Sequence, residues 1–251
     1  MHNLTLENLL NQKLNSATIN DYAPNGLQVE GKAEIKKIIT GVTASQALID
    51  YAVEQKADAL LVHHGYFWKS ENPCIRGMKG KRIKTLLVND INLYGYHLPL
   101  DVHPELGNNA QLAQLLGINN LQPLEQNAIS IPVWGTLKEP LTAEQFAERI
   151  KQVLNRKPLI CTENGPHFIR KIGICTGGGQ GYIDLAAAQG FDAFITGEVS
   201  EQTIHSAREQ RIHFFTAGHH ATERYGVKAL GELLANEQGF EVEFKDMDNP
   251  A

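Results

Sequence analysis

Short apolar runs alternate with longer amphipathic stretches along most of the chain. Six of the apolar runs are predicted strands: 36–43, 57–64, 91–97, 170–177, 191–197 and 212–218. The stretches between them have helical periodicity, as in ASQALIDYAVEQK (44–56) and GYIDLAAAQG (181–190). Strands that alternate with helices are typical of α/β layers, so this pattern predicts an α/β fold. Residues 136–160 predict an additional helix with flanking strands.

Two of the strand–helix units resemble each other in sequence. Residues 46–62 (QALIDYAVEQKADALLV) and 180–196 (QGYIDLAAAQGFDAFIT) are identical at seven of 17 positions, at an offset of 134. This repeat predicts an internal duplication with pseudo-twofold related halves, which we place at residues 1–125 and 126–251. Two unrelated units of similar composition are the alternative.

A second correspondence follows the first at a smaller offset. YHLPLD (96–101) parallels GHHATE (218–223) at an offset of 122, which matches His97 with His219 and Asp101 with Glu223. The two offsets, 134 and 122, predict 12 extra residues in the first half. We place these residues in the stretch FWKSENPCIRGMKG.

The predicted strand at 57–64 ends in two adjacent histidines, His63 and His64, and Gly65 follows them. Neighbouring side chains on a strand point to opposite faces, so one ordinary pocket does not need both. The carboxyl edge of an α/β sheet opens into a crevice where ligands bind. Two side chains that diverge there can bind two neighbouring metal ions, one each.

Further candidate ligands follow other predicted strands. His219 and Glu223 have the i, i+4 spacing that puts both on one face of a helical turn, and His220 is an alternative to His219 at i, i+3. Asp101 follows the predicted strand at 91–97. Imidazoles and carboxylates without a thiolate suit Zn, Fe(II), Mn, Co or Ni better than a structural zinc site.

Five motifs make the chain similar to the NIF-three-like proteins, also known as GTP cyclohydrolase I type 2 homologues: NGLQVEG, HHGYFW, YHLPLDVHPELGNN, TGE and AGHHATE. The similarity spans nearly the whole chain. It implies a dinuclear centre of two divalent transition-metal ions bound by His63, His64, Asp101, His219 and Glu223. It also implies two intertwined, duplicated α/β halves with central sheets flanked by helices, a metal site at the interface between the halves, and a ring-shaped homohexamer.

Two further residues are candidates for catalysis. His97 lies where the repeat places a ligand, and coordination, proton transfer and support of a ligand stay open for it. Glu198 corresponds to His64 at the offset of 134, and we expect it to orient a ligand or act as a general base. A carboxylate that interacts with a helix N-terminus is the alternative for Glu198.

Candidate substrate contacts lie close to the histidine pair. Trp68, at the end of the aromatic run 66–68, can stack on a base or a pterin ring, and core packing is the alternative. Lys81 and Arg82 belong to the basic stretch RGMKGKRIK (76–84) and can contact substrate phosphates, unless this stretch is only a solvated surface.

Composition restricts the classes of function. The net charge of −5 over 251 residues disfavours nucleic acids and anionic membranes as partners. Three cysteines without metal-like spacing indicate reduced thiols, and therefore a cytoplasmic protein. The N-terminal stretch has an amphipathic helical pattern without the features of a signal peptide, and no apolar run approaches a membrane span of about 20 residues.

Two functions from different classes agree with these features. The first is a dinuclear metal-dependent hydrolase that acts on a small nucleotide-like or phosphorylated substrate, and the family resemblance extends this to a GTP cyclohydrolase-like reaction. The second is a non-catalytic metal-binding protein with a regulatory, interaction or metal-chaperone role. An open coordination position favours the enzyme, and a saturated metal site favours the binding protein.

Overall fold

A computed structural model describes residues 1–127 and 129–251 of the chain. Two short 3-10 helices, Ser16–Thr18 and Gln180–Tyr182, and ten α-helices occur in these ranges. The α-helices are α1 (Asn3–Lys13), α2 (Gln46–Glu54), α3 (Gly77–Val88), α4 (Leu98–Asp101), α5 (Asn108–Leu116), α6 (Ala143–Leu154), α7 (Ile183–Ala188), α8 (Glu201–Gln210), α9 (His219–Thr222) and α10 (Arg224–Gln238). In the described residues, no helix is both long enough and apolar enough to cross a membrane.

The strands of the described residues belong to two sheets. They are β1 (Gly26–Val29), β2 (Lys37–Thr43), β3 (Ala59–His64), β4 (Asn92–Gly95), β5 (Ile118–Pro123), β6 (Val133–Leu141), β7 (Leu159–Cys161), β8 (Ile169–Cys175), β9 (Ala193–Thr196), β10 (His213–Thr216) and β11 (Glu241–Phe244). The six predicted strands correspond to β2, β3, β4, β8, β9 and β10, and the additional helix with flanking strands corresponds to α6 between β6 and β7. These predictions are confirmed.

The first sheet has the strand order β1-β4-β3-β2-β11. Strands β4, β3, β2 and β11 are parallel, and β1 is an antiparallel edge strand. One apolar cluster joins the sheet to α1 and α10, and another joins it to α2 and α3. Helices therefore bury both faces of this sheet, as a parallel sheet requires.

The second sheet has the strand order β5-β6-β8-β9-β10-β7. Its central strands β8, β9 and β10 are parallel, whereas β7 and β6 pair with them in antiparallel fashion. Apolar clusters join this sheet to α5 and α6, and to α7 and α8. The fold is thus the expected mixed α/β fold with two sheets flanked by helices.

The two compact units do not coincide with residues 1–125 and 126–251. Unit 1 comprises Met1–Leu106 and Gly226–Asp248, and unit 2 comprises Gly107–Tyr225 and Asn249–Ala251. The difference has a simple cause, because β11 pairs with β2 and the apolar face of α10 packs in the cluster of the first sheet. The end of the chain therefore returns to the unit in which the chain begins.

The internal repeat is visible in one hydrogen-bond motif that occurs in both units. Oδ2 of Asp58 accepts the backbone N–H groups of Lys36 and Lys37 at 2.7 and 2.9 Å. Oδ2 of Asp192 accepts the N–H groups of Arg170 and Lys171 at 2.9 and 2.8 Å. All three pairs of equivalent residues are 134 positions apart. Each carboxylate joins the start of one parallel strand to the start of its neighbour.

The second offset of the repeat is corrected by the strand pairing. Ala59 pairs with Asn92 in unit 1, and Ala193 pairs with His213 in unit 2. The first residues differ by 134 positions and the second by 121, so the first half contains 13 extra residues and not 12. At this offset His97 corresponds to position 218, a glycine, and the expected match of His97 with His219 is wrong by one residue.

Replacement of either repeated aspartate is predicted to destabilise the protein. Burial raises the pKa of Asp58, but its contacts with Lys32 and with the two N–H groups outweigh this effect and hold the pKa below its usual range. Asp58→Ala leaves two backbone donors without their acceptor, and we expect the free energy of unfolding to fall by about 1–3 kcal/mol. Asp192→Ala should have an effect of similar size.

Urea unfolding followed by circular dichroism measures this change. Asp50→Ala is the control, because Asp50 is an exposed carboxylate on α2 whose partner is the side chain of Gln46. Equal stability of Asp58→Ala and Asp50→Ala would show that the carboxylate of Asp58 does not hold the strand ends together.

Candidate metal centre

Three histidines of unit 1 meet at the carboxyl edge of its sheet. His63 and His64 end β3, and His97 follows the neighbouring strand β4. The ring of His63 lies 4.5 Å from that of His64 and 5.1 Å from that of His97, between centroids. One ring nitrogen of each lies within 4.8 Å of the others, so the three imidazoles can bind one metal ion.

The adjacent histidines turn their Nδ1 atoms to different partners. Nδ1 of His63 lies 2.9 Å from the carbonyl oxygen of Tyr96, and because a carbonyl only accepts, this nitrogen donates. Nδ1 of His64 lies 3.2 Å from Oγ1 of Thr43, which the parallel register places opposite His64 on β2. Both contacts fix the ring orientation, and a histidine that is held through Nδ1 can bind a metal ion through Nε2.

Asp101 adds a carboxylate to the unit 1 cluster. It lies on α4, the short helix that begins directly after His97, and its backbone N–H donates to the carbonyl of His97. Oδ1 of Asp101 lies 3.5 Å from Nε2 of His63, and the side chain is 8% exposed. A buried carboxylate beside a coordinating nitrogen is the arrangement that a divalent cation stabilises.

His97 is held by Asp21, a residue that the sequence analysis missed. Nδ1 of His97 donates to Oδ1 of Asp21 at 3.0 Å, and Oδ2 of Asp21 accepts the N–H of Leu98. Asn25, which also bonds to Asp21, accepts the N–H of His97. Burial raises the pKa of Asp21, but the bonds from His97, Asn25 and Leu98 outweigh it and lower the pKa to about 2. Asp21 is therefore ionised at neutral pH.

His219, Glu223 and Glu198 form a second cluster, in unit 2. His219 begins α9 after Gly218, which has a φ of 97°, and Glu223 follows the same helix. Nε2 of His219 lies 3.0 Å from Oε2 of Glu223, and Nδ1 donates to Oε1 of Glu198 at 2.6 Å. Since the ring of His219 contacts Glu223, the structure favours His219 over His220 as the partner of this carboxylate.

The glycine at position 177 makes room for this cluster. A Cβ atom there would collide with Oε1 of Glu223 and lie 3.0 Å from Nε2 of His219. Its φ of 61° also disfavours other residues. Gly177 belongs to the glycine-rich stretch TGGGQG (176–181), which begins with a turn directly after β8. The missing Cβ lets the Glu223 carboxylate and the His219 ring lie directly against this turn.

The charges of the second cluster also fit a bound cation. Burial lowers the pKa of His219, but Glu223 and Glu198 outweigh burial through hydrogen bonds and charge and raise the pKa to about 9. The imidazole thus retains a proton at neutral pH because two carboxylates contact it. A divalent cation would neutralise the same carboxylates and displace that proton.

The predicted substrate contacts all lie in unit 1. The ring of Trp68 is 5.0 Å from that of His97 and 5.9 Å from that of His64. Lys81 and Arg82 lie on α3, with Lys81 exposed and Arg82 half-buried. Tyr66 is a core residue, since it is 4% exposed and its hydroxyl donates to the carbonyl of Ala44.

Comparisons with known proteins agree with this architecture. A family model described as Duf34/NIF3 (NGG1p interacting factor 3) matches residues 1–250. A relative from Haemophilus influenzae, named GTP cyclohydrolase 1 type 2 homolog, is 82% identical over 251 residues, which cover 100% of both chains.

Two solved structures are similar over 100% of both chains. A protein called ybgI, described as of unknown function, has 61% identity and a TM-score of 0.97. A protein from Thermus thermophilus has 34% identity and a TM-score of 0.90.

Loss of the charge of Glu198 is predicted to weaken metal binding. Glu198 fixes the orientation of the His219 ring and raises its basicity, and replacement of such partners typically lowers metal affinity about 10- to 100-fold. Glu198→Gln should show this loss in a titration against a chromophoric chelator. The matched control is Glu201→Gln, because Glu201 contacts His205 at 3.0 Å in an exposed pair. Equal affinities in both variants would contradict the role of Glu198.

The charge of Asp21 is predicted to stabilise the fold in a pH-dependent way. Its folded pKa of about 2 lies below the ordinary value of about 3.9, so the stabilisation is present above about pH 4 and is lost as the pH falls through about 2. Asp21→Asn should lower the free energy of unfolding at pH 6 by about 2 kcal/mol.

Urea unfolding of chelator-treated protein at several pH values tests this dependence on Asp21. The difference between wild type and variant should narrow steadily below about pH 4. A difference that is constant from pH 6 to pH 2 would show that the variant acts through its shape and not through the lost charge.

Proposed function

Because the chain belongs to the Duf34/NIF3 family, we propose that it is a metal-dependent hydrolase with a dinuclear centre. The substrate class is a small nucleotide-like or phosphorylated molecule. The proposed ligands are those that the family resemblance implies: His63, His64, Asp101, His219 and Glu223. The two ions are divalent transition metals, drawn from Zn, Fe, Mn, Co and Ni, which this nitrogen and oxygen donor set suits.

One observation carries the proposal. Nδ1 of His63, His97 and His219 donates to a carbonyl or carboxylate oxygen of the protein, and Nδ1 of His64 contacts a hydroxyl. Histidines that bind metals are held in this way, with the second nitrogen directed at the ion. Three of these imidazoles belong to the proposed ligand set, and His97 lies beside two of them. Imidazoles that are all held through Nδ1 and lie near buried carboxylates support a metal site better than a set of core histidines.

The residues around the ligands have distinct roles in this proposal. When bound, a pair of divalent ions supplies a nucleophile from water at neutral pH and polarises the bond that is cleaved. His97 transfers a proton through Nε2, while the carboxylate of Asp21 holds its ring through Nδ1. Glu198 is a positioning residue, because its contact with Nδ1 of His219 directs Nε2 of that ring.

The substrate assignment draws on the similar proteins and on the basic residues of α3. The Haemophilus relative is named as a homolog of a GTP cyclohydrolase, and a GTP cyclohydrolase-like reaction is one hydrolytic reaction of this class. In such a reaction the purine ring is opened by water and formate is released. Lys81 and Arg82 would contact the phosphates, and Trp68 would contact the ring.

The proposal extends to assembly and location. We propose a ring-shaped homohexamer on the family resemblance, and a cytoplasmic protein on the cysteines, which are all free thiols among the described residues. Native mass spectrometry measures the number of chains directly. A monomer or a dimer at micromolar concentration would contradict the proposed hexamer but would leave the proposed chemistry unchanged.

Product analysis after incubation with GTP tests the proposed reaction. Metal-reconstituted protein should release formate and yield a ring-opened or pterin triphosphate, detected by mass spectrometry. His219→Ala with Glu223→Ala should lose both the product and most of the metal, which elemental analysis measures at up to two ions per chain in the wild type. The matched control is Glu201→Ala with His205→Ala, an exposed pair with the same i, i+4 spacing.

The outcomes separate the candidate functions. Release of phosphate with an intact purine would make the protein a phosphohydrolase. Unchanged GTP with every metal, together with full metal loading, would favour the non-catalytic metal-binding protein. Full metal content in the double variant would overturn the proposed ligand set itself.

A further inference from the structure

We propose that Tyr22 and Trp68 form an aromatic platform that binds a planar heteroaromatic ring of the substrate beside the histidines of unit 1. The inference deepens the proposed function, on which it rests for the identity of the ring as part of a substrate. Trp68 is a candidate from its position after the histidine pair. Tyr22 and the way in which the platform is held are features of the structure alone.

The two aromatic rings are close to each other and to the candidate metal site. The ring centroids of Tyr22 and Trp68 are 5.8 Å apart, with an interplanar angle of 36°. Each ring also lies 5.0 Å from the ring of His97, in an edge-on arrangement. Tyr22 is 54% exposed, so a ligand can reach this residue from solvent. A ring that stacks there lies next to His97, the proposed proton carrier.

The loop that positions Trp68 is strained. Phe67 has a φ of 66°, in the left-handed region that bulky residues rarely adopt. Such a conformation persists only where the surrounding structure imposes it, and strained residues of this kind cluster at binding sites. Phe67 directly precedes Trp68, and its left-handed conformation changes the direction of the backbone there.

The side chains of Glu71 and Lys79 hold this strained loop. One oxygen of Glu71 accepts the N–H groups of Phe67 and Trp68 at 2.7 and 3.2 Å. Lys79, which is 9% exposed, pairs with the same oxygen at 3.3 Å and lies 4.7 Å above the ring of Phe67. A buried cation, a carboxylate and two amides thus fix the conformation in which Trp68 points to the histidines.

A further backbone hydrogen bond ties the two parts of the platform together. The N–H of Lys69 donates to the carbonyl of Tyr22 at 2.8 Å, although the two residues are far apart in sequence. The backbone N–H of Tyr22 in turn donates to Oδ1 of Asp21, the same oxygen that holds the ring of His97. Tyr22, Trp68 and His97 are therefore positioned as one group. This arrangement suits a ligand that contacts all three.

Intrinsic fluorescence tests the platform directly. The chain has two tryptophans, and Trp134 lies in β6 of unit 2, so Trp134→Phe leaves Trp68 as the only indole. The probes are guanosine, which has a ring without phosphates, and inorganic tripolyphosphate, which has phosphates without a ring. We expect guanosine to quench the fluorescence of metal-loaded protein saturably and tripolyphosphate to leave it unchanged.

Substitutions at Tyr22 separate stacking from a structural role. Loss of one stacking partner typically weakens binding of a base about 5-fold to about 100-fold, so Tyr22→Ala should raise the dissociation constant for guanosine by this factor. Tyr22→Phe, which keeps the ring, should stay within about 3-fold of the parent protein. Both variants should retain the full metal content, because Tyr22 is not a ligand.

Two results would overturn the platform: no saturable quenching by guanosine, or equal affinity in Tyr22→Ala and Tyr22→Phe. If Trp134→Phe does not fold, the same titration compares wild type with Trp68→Phe, and a guanosine-dependent signal that survives in Trp68→Phe would equally overturn it. Failure of the hydrolase proposal is distinguishable, because loss of GTP turnover with intact guanosine quenching leaves the platform in place.

Discussion

The parallel register of the central strands is the constraint on which both candidate clusters depend. In a parallel sheet the carboxyl ends of neighbouring strands meet at one edge, so residues that are distant in sequence become neighbours there. In unit 1, β2, β3 and β4 bring Thr43, His64 and His97 to that edge. In unit 2 the same geometry brings Glu198 and His219 together after β9 and β10. The aspartates at 58 and 192 set this register at the opposite ends of the strands.

The strands and the histidine pair could be predicted because their signals are local. An apolar run followed by His63, His64 and Gly65 is readable within ten residues of sequence. Asp21 has no comparable signal, since it lies in an irregular segment with no periodicity and contacts His97 at a separation of 76 residues. The contact of Asp21 with His97 becomes visible only in the fold, where this segment lies beside the residues that follow β4.

The repeat shows where residue matching alone fails. The letters of YHLPLD and GHHATE align histidine with histidine and acid with acid, but the strand pairing shifts the true equivalence by one residue. A match of six residues is too short to establish which positions of the two halves are equivalent. Strand pairing establishes this residue by residue, because each residue has a defined partner on the neighbouring strand. Asp101 and Glu223 thus occupy non-equivalent positions in the two halves.

The two clusters therefore differ in charge as well as in position. Unit 1 contains three imidazoles and the carboxylate of Asp101, and each ring is held by an oxygen of its own unit. Unit 2 contains one imidazole between two carboxylates, so the formal charge of the trio is −1 even while His219 retains its proton. Buried negative charge is costly unless it is paired. A fold that keeps Glu223 4% exposed, packed against Gly177, is consistent with a cation that balances this charge. Because that cation competes with a proton, its affinity must rise with pH until His219 is neutral.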